Sequence, residues 1–427
     1  MAESAQDVRR MALAVLHSRL MDGRQLVDEF RAVIARDQDI QHTFRAAQSP
    51  ANTPKNRYVN VLPYDYNRVL LQSSSHNSAP NGAAASSATG RRSGSGTGEQ
   101  PPFPSSSSSA SSTPHAPSDY INASHVIHED DQCDFSVAYI ACQGPLAATV
   151  PDFWRMCWTE GVGAVVMLTN TVERGVTKCA PYYPTQPGTR LVLRNPTGAA
   201  VAGTTATASA TGSTSYGPRS SSSQHHQQQH QTDGRIAASA ASASAGPQEV
   251  LVQSCRSLLG GDLTHTQLQM LPYNTLHDNN GGNSSDAAAA ATGTVPPRGV
   301  AHLRYNAWPD HGTPSDAGAI RAMCDMLRPI EAAGGAVVVH CSAGIGRTGT
   351  FCAIDILRRR LEHLQKEAEV RPGSVRQDDV HAALNLPELV QSLRRQRGGM
   401  VQTMEQYAFC YQAVFEELTE AGLEGLV

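Results

Sequence analysis

Apolar residues recur every three or four positions in two stretches near the start of the chain: Val8, Met11, Ala12, Val15 and Leu16, then Leu26, Val27, Phe30, Val33 and Ile34. That spacing puts them on one helical face, so residues 6–48 are expected to be helical. Asp22-Gly23 breaks the stretch into two helices joined by a turn. From Tyr58 the pattern shortens. Val59, Val61, Tyr139, Ile140, Val165, Val166, Met167, Leu191, Val192 and Leu193 sit in short β-favouring runs. Val337, Val338 and Val339, preceded by Gly334-Gly335, read as a buried strand. Helical spacing returns from Phe351 to Glu369 and from Met404 to Leu418. Helices before and after a mixed sheet, with no internal repeat, predict one α/β domain across residues 1–427. It comprises N-terminal helices (6–48) and a core (49–420) with a twisted mixed β-sheet flanked by α-helices.

Three tracts interrupt this pattern, at 73–118, 196–248 and 276–296. They are rich in Ser, Ala, Gly, Gln or Asn and dilute the charged residues to 17%. They hold too little apolar area to offset chain entropy, so disordered insert loops are expected. His225, His226 and His230 lie in the second tract and read as a solvated run that binds nothing specific.

The net charge of −4 argues against nucleic acid as the main partner. No apolar run approaches the roughly 20 residues that span a bilayer, so no membrane is expected as partner. The start lacks the layout of a secretory signal, and the final residues match neither a prenylation box nor a peroxisomal address. Val8–Arg24 is amphipathic and carries four arginines, but Glu3, Asp7 and Asp22 speak against a mitochondrial presequence. A cytoplasmic location is the expectation. Nine cysteines, an odd number set mostly in apolar stretches, suit free thiols rather than a disulfide framework.

The sharpest chemistry lies in Val339-His340-Cys341-Ser342-Ala343-Gly344-Ile345-Gly346-Arg347-Thr348-Gly349. A strand runs into a glycine-containing loop and then into a helix. The five residues between Cys341 and Arg347 can close a ring whose amides point inward. Such a nest, with the positive end of the following helix, binds anions. A thiol at its mouth is expected to ionise below the ordinary cysteine range. Arg347 can meet phosphate oxygens with two parallel bonds. The pattern is not an ATP-binding loop, which needs Gly-Lys-Ser/Thr and no thiol.

The segment resembles the active-site loop of the protein tyrosine phosphatases, His-Cys-Ser-Ala-Gly-x-Gly-Arg-Ser/Thr-Gly. Other segments resemble the same family in order. Lys55-Asn56-Arg57-Tyr58, Leu62-Pro63-Tyr64-Asp65 and Arg68-Val69 resemble its phosphotyrosine-recognition loop. Asp119-Tyr120-Ile121-Asn122-Ala123-Ser124 and Gln143-Gly144-Pro145 resemble framework segments. Trp308-Pro309-Asp310 resembles its mobile acid loop, and Gln402-Thr403-Met404-Glu405-Gln406 its water-positioning loop.

The resemblance implies a tyrosine-specific, non-receptor phosphatase domain with these roles. Cys341 would be the nucleophile that forms a phosphocysteine. The amides of Ser342, Ala343, Gly344, Ile345, Gly346 and Arg347, with the Arg347 fork, would bind the phosphate oxygens. Asp310 would be the general acid, then the base. Gln402 would orient the hydrolytic water, with Gln406 assisting. Thr348 would donate a hydrogen bond to the sulfur. His340 would tune the thiol by bonding the loop. Tyr58 would stack on the substrate ring and set a depth that phosphoserine cannot cross. Val172 to Ala180 resembles a supporting loop, in which Glu173 would pair with Arg347 and Lys178 approach Asp310. Phosphotyrosine-containing proteins would be the partners of a monomer, with no cofactor and no metal.

Arg394, Arg395 and Arg397 read as a charged helix face, with a place beneath the loop open to Arg397. Three positions depart from the family pattern. Asn60 stands where many members have Asp, so an uncharged acceptor would meet the substrate peptide. His311 follows the acid where an aromatic ring is common. Gly399 leaves the expected cleft rim without a side chain. Two other readings stay open: a dual-specificity or lipid phosphatase using the same loop, and a non-catalytic phosphotyrosine-binding module.

Overall fold

A computed structural model describes residues 2–71, 118–130, 133, 135–193, 246–272, 295–309 and 312–424. Apart from a few residues at their ends, the three low-complexity tracts lie outside the described residues, with His225, His226 and His230. So do Asp310 and His311.

The β-favouring runs form strands β1 (Arg68–Leu70), β2 (Tyr120–Asp130), β3 (Phe135–Cys142), β4 (Val162–Met167), β5 (Val172–Glu173), β6 (Val176–Thr177), β7 (Arg190–Val192), β8 (Glu249–Leu258), β9 (Leu263–Leu271), β10 (Arg298–Tyr305) and β11 (Ala336–His340). Among the described residues, nine of them make one sheet in the order β1-β2-β3-β11-β4-β10-β9-β8-β7, and β5 and β6 pair separately. The middle is parallel: β11 pairs with β3 and β4, and β4 with β10. The flanks are antiparallel.

Strand β11 is buried on both sides, which explains its unbroken valine run. Val337 and Val339 enter one apolar cluster, Val338 the other. The first cluster takes residues of α1 (Ala2–Met21), α2 (Gly23–Ala35), α5 (Gly318–Ala332), α6 (Gly346–Val370), α7 (Gln377–Ala383), α8 (Leu386–Gln396) and α9 (Met404–Glu424). The second takes Phe153, Trp154 and Trp158 of α4 (Val150–Thr159). The sheet is therefore a mixed layer covered by helices. Among the described residues no helix is long and apolar enough to cross a membrane.

Three local expectations change. The helical reading of 6–48 holds through Ala35, with Asp22 capping the second helix by accepting from the Gln25 amide at 3.0 Å. A 3₁₀ turn (Arg36–Asp39) then ends it, and residues 40–44 are not helical. A short α3 (Arg45–Gln48) follows, its first amides capped from a distance by Asp65 at 2.7 and 3.0 Å. Val59 and Val61 lie in an irregular segment with no ladder partner among the described residues, and Val59 is 85% exposed. The helix read from Phe351 begins five residues earlier, at Gly346.

Because β4, β10 and β11 run parallel, their carboxyl ends lie at one edge of the sheet. The loops that leave them, Leu168–Asn170, Asn306–Pro309 and Cys341–Ile345, gather there. Carboxyl edges of parallel strands are where ligand crevices form.

Candidate active site

The loop after β11 is shaped by contacts no other residue type would permit. Gly344 has φ +74°, and a Cβ there would fall 2.1 Å from the Cys142 carbonyl oxygen. Its amide donates to Cys341 Sγ at 3.2 Å. The carbonyls of the same turn point the other way. Arg397, fully buried, donates from Nε to the Gly344 carbonyl at 2.7 Å and from Nη2 to that of Ala343 at 3.1 Å. Its remaining donors reach Asn122 Oδ1 at 2.8 Å and Ser124 Oγ at 3.1 Å. Holding the carbonyls below leaves the amides facing the ring, which makes an anion nest. Helix α6 starts at Gly346 with no side chain among the described residues capping its amino end, so its first amides stay available to an anion.

Arg397 thus belongs under the loop rather than on a charged face. Arg394 is also buried, at 3% exposure, and only Arg395 is a half-exposed surface charge.

His340 is fully buried, and its partners fix its state. Nδ1–H donates to the Cys341 carbonyl at 3.1 Å, which leaves Nε2 as an acceptor for Tyr182 Oη at 2.7 Å. Tyr182 Oη in turn accepts from His302 Nε2–H at 2.6 Å. Burial lowers the His340 pKa to about 4, with the Cys341 carbonyl opposing and Arg57 adding to the fall. The imidazole is therefore neutral at pH 7, a loop strut rather than a proton carrier.

Arg347 is aimed by Glu173. Nη1 and Nη2 meet Oε1 and Oε2 at 2.7 and 3.0 Å, a two-pronged pair. Burial raises the Glu173 pKa, but the Arg347 bonds and the Asn170 amide outweigh it and hold the carboxyl below its ordinary range. Glu173 is 6% exposed, which sets it apart from a solvated hairpin charge. Arg347 also donates to the Leu168 carbonyl at 3.0 Å and the Pro309 carbonyl at 3.1 Å, so it touches the residue before Asp310. Trp308 is buried, lies 5.8 Å from the guanidinium, and donates from Nε1 to the Gly312 carbonyl at 3.3 Å. That bond ties Trp308 to Gly312, on either side of the two residues outside the described set.

The recognition segment is bolted on from below. The Arg57 amide and the Lys55 carbonyl both bond Gln143, and the Arg57 guanidinium takes the Gly144 and Pro145 carbonyls at 3.0 and 2.7 Å. Tyr58 is half-buried. Ser342 Oγ donates to the Lys178 carbonyl at 2.9 Å, so Tyr58 Oη is the donor in its own 2.9 Å bond to Ser342 Oγ.

A cleft of about 600 Å³ collects Tyr58, Asn60, Glu173, Lys178, Cys341, Ser342, Ala343, Gly346, Arg347, Gln402 and Gln406. Gln402 and Gln406 stand over Gly346, where a Cβ would meet their side-chain oxygens at 3.1 and 3.0 Å. Gly344, Ile345, Trp308 and His340 stay behind the cleft wall as support. Thr348 is also buried, and among the described residues its Oγ1 has no hydrogen-bond partner, Cys341 Sγ included. Gly399 lies off the lining, with φ +80° and Ile345 Cδ1 3.1 Å from where its Cβ would be.

The cleft also takes Val61, Pro309, Gly312, Thr403 and Glu405, which sequence reasoning left without a site role. Pro309, Thr403 and Glu405 lie inside named motifs, and Val61 and Gly312 lie within two residues of one. Tyr182 and His302 carried no local signal. Cys341 alone among the described cysteines lines this cleft. Burial pushes the nearby Cys179 thiol up to about 12.

A nest of amides, a sulfur at its floor and a fixed guanidinium define a site for phosphoryl chemistry. Comparison with known proteins agrees. The family model described as protein-tyrosine phosphatase matches residues 52–232 and 273–416. Human receptor-type tyrosine-protein phosphatase C is 30% identical over 403 residues, covering 92% of this chain and 20% of that protein. Protein-tyrosine-phosphatase PTP1 of Arabidopsis thaliana is 26% identical over 413 residues, covering 96% of this chain and 84% of its own length. Mouse tyrosine-protein phosphatase non-receptor type 13 is 27% identical over 377 residues, or 88% of this chain and 10% of that protein. The chain belongs to the protein-tyrosine phosphatase family.

Proposed function

We propose that this chain hydrolyses phosphotyrosine in proteins in two steps through a cysteinyl phosphate. The observation that carries the reading is that Cys341 Sγ and the Glu173-braced Arg347 open into one cleft, above a loop whose carbonyls are drawn away by Arg397.

In the first step Cys341 Sγ attacks phosphorus as the bond to the tyrosyl oxygen breaks. Asp310 gives that oxygen its proton. The amides of residues 342–347 and the Arg347 guanidinium take the equatorial oxygens, where fixed donors act most strongly. In the second step water, aimed by Gln402 and Gln406, attacks phosphorus, Asp310 takes its proton and the sulfur leaves. Tyr58 packs against the substrate ring, and Asn60 accepts from peptide amides without adding charge. Substrates are phosphotyrosine-containing proteins, and the chain works as a cytoplasmic monomer without metal or cofactor.

A substrate panel tests this. Phosphotyrosyl peptides should turn over far faster than phosphoseryl peptides or phosphoinositides. Equal rates would favour a shallow, dual-specificity cleft, and no phosphate release from any aryl phosphate would leave only a binding module. Asp310→Ala should slow aryl phosphates with poor leaving groups by about 10²–10⁴-fold and those with good leaving groups much less. A uniform loss would remove the acid role.

A further inference from the structure

Gln402 enters the cleft from an unusual backbone. Val401, directly before it, sits at φ +55°, a region that branched side chains avoid. Val401 is fully buried. Something must hold it, and the holder is Arg394 at the end of α8. Its Nε donates to the Met400 carbonyl at 2.9 Å and its Nη2 to the Val401 carbonyl at 2.8 Å. Its Nη1 reaches back to Asp37 Oδ2, in the turn after α2, at 2.6 Å. From the other side the Val401 amide donates to the Ile345 carbonyl at 3.2 Å, at the end of the phosphate loop. Gly349 leaves the room: a Cβ there would lie 2.3 Å from the Val401 nitrogen and 2.9 Å from the Met400 carbonyl carbon. Beyond Val401, the Gln402 amide is fixed by Gln406 Oε1 at 2.9 Å.

Two buried arginines three residues apart therefore divide the work. Arg397 shapes the floor that meets phosphate in both steps. Arg394 shapes the wall that presents Gln402, which the reading above uses only in the second. We propose that Arg394, anchored by Asp37, is a positioning residue for hydrolysis of the cysteinyl phosphate: its fork keeps Val401 left-handed and so keeps Gln402 aimed at the water site. The proposal rests on the water-aiming role given to Gln402. A displacement of this wall leaves the nucleophile, the floor and Tyr58 where they are, so it slows the second step and spares the first.

Rapid-quench kinetics of the full chain with an aryl phosphate separates the two steps. Arg394→Lys keeps the charge but cannot fork onto both carbonyls. Its kcat should fall roughly tenfold while kcat/KM, which reports the first step, stays within about twofold. A burst of phenol, below one equivalent, should precede the steady state, with phosphate accumulating on Cys341. Asp37→Asn, at the surface end of the same chain, should give the same split at about threefold, and its reading stands even if Arg394→Lys does not fold. Gln402→Ala is the reference and should show the largest burst. If Gln402→Ala bursts while neither Asp37→Asn nor a folded Arg394→Lys does, the positioning role is overturned alone. If Gln402→Ala itself shows no burst, the water-aiming role fails and this proposal with it.

Discussion

The floor and the rim of the cleft are built on different terms. Arg397 and His340 lie beneath or behind the loop, fully buried, and spend their hydrogen bonds on backbone or on other buried groups, while Glu173, also buried, braces Arg347 at the cleft wall. Asn60, Gln402 and Glu405 on the rim are exposed, and Tyr58 and Thr403 only half-buried. A buried charge must be fully partnered to be tolerated, so the floor can hold only one arrangement. Exposed side chains carry no such demand. The contrast sets one fixed arrangement at the floor against freer side chains at the rim, where Tyr58 and Asn60 would meet the peptide and Gln402 depends on the buried Arg394 behind it.

Breaking the floor should cost most. Gly344→Ala forces a Cβ against the Cys142 carbonyl and into a left-handed backbone, so turnover should drop by at least about 10²-fold. Phosphate release from a folded variant measures it, and near-normal turnover would mean the loop is not the rigid ring described. Arg397→Met removes the donor from two loop carbonyls and two side chains, and thermal or urea unfolding should register a loss of about 1–3 kcal/mol from the acceptors left unpaired.

At the rim, Tyr58→Ala should raise KM for phosphotyrosyl peptides about tenfold, near the worth of one aromatic contact, with a smaller effect on kcat. A fall in kcat at constant KM would place Tyr58 in the floor's class instead.

The smallest effect is the sharpest in sign. His340 has a folded pKa of about 4 against 6.5 when unconstrained, so between those values the unfolded chain binds more protons. The stability this group contributes is present above pH 6.5 and is lost as pH falls toward 4, a total of about 3 kcal/mol. His340→Gln should flatten that part of the stability–pH curve. His302, whose pKa burial also lowers, keeps its own share of the slope. An unchanged curve would contradict the neutral, buried state.

What could be read from the chain divides along the same line. The strand, glycine loop and helix around Cys341 are local, so their residue types announce them. Even there the helix starts five residues before its apolar spacing does. Gly346 to Thr350 has no apolar stripe, because its small residues make room for Gln402, Gln406 and Val401 rather than filling a core. Val59 and Val61 look like strand residues by type, but nothing in sequence says that no strand will lie beside them. The arginines at and just past the end of α8 are the clearest case. Three within four positions look alike, and what separates them is Asp37, Asn122, Ala343 and Met400, partners that lie from six to 357 residues away.

The central claim is that phosphate passes through Cys341. Mixing the full chain with a phosphotyrosyl peptide, quenching in acid within milliseconds and mapping the phosphate by mass spectrometry tests it directly. The account predicts phosphate on Cys341 in the native chain, and none in Cys341→Ser, which should still bind the peptide but not turn it over. Phosphate release from Cys341→Ser at a substantial rate, or label carried by any other residue, would contradict it.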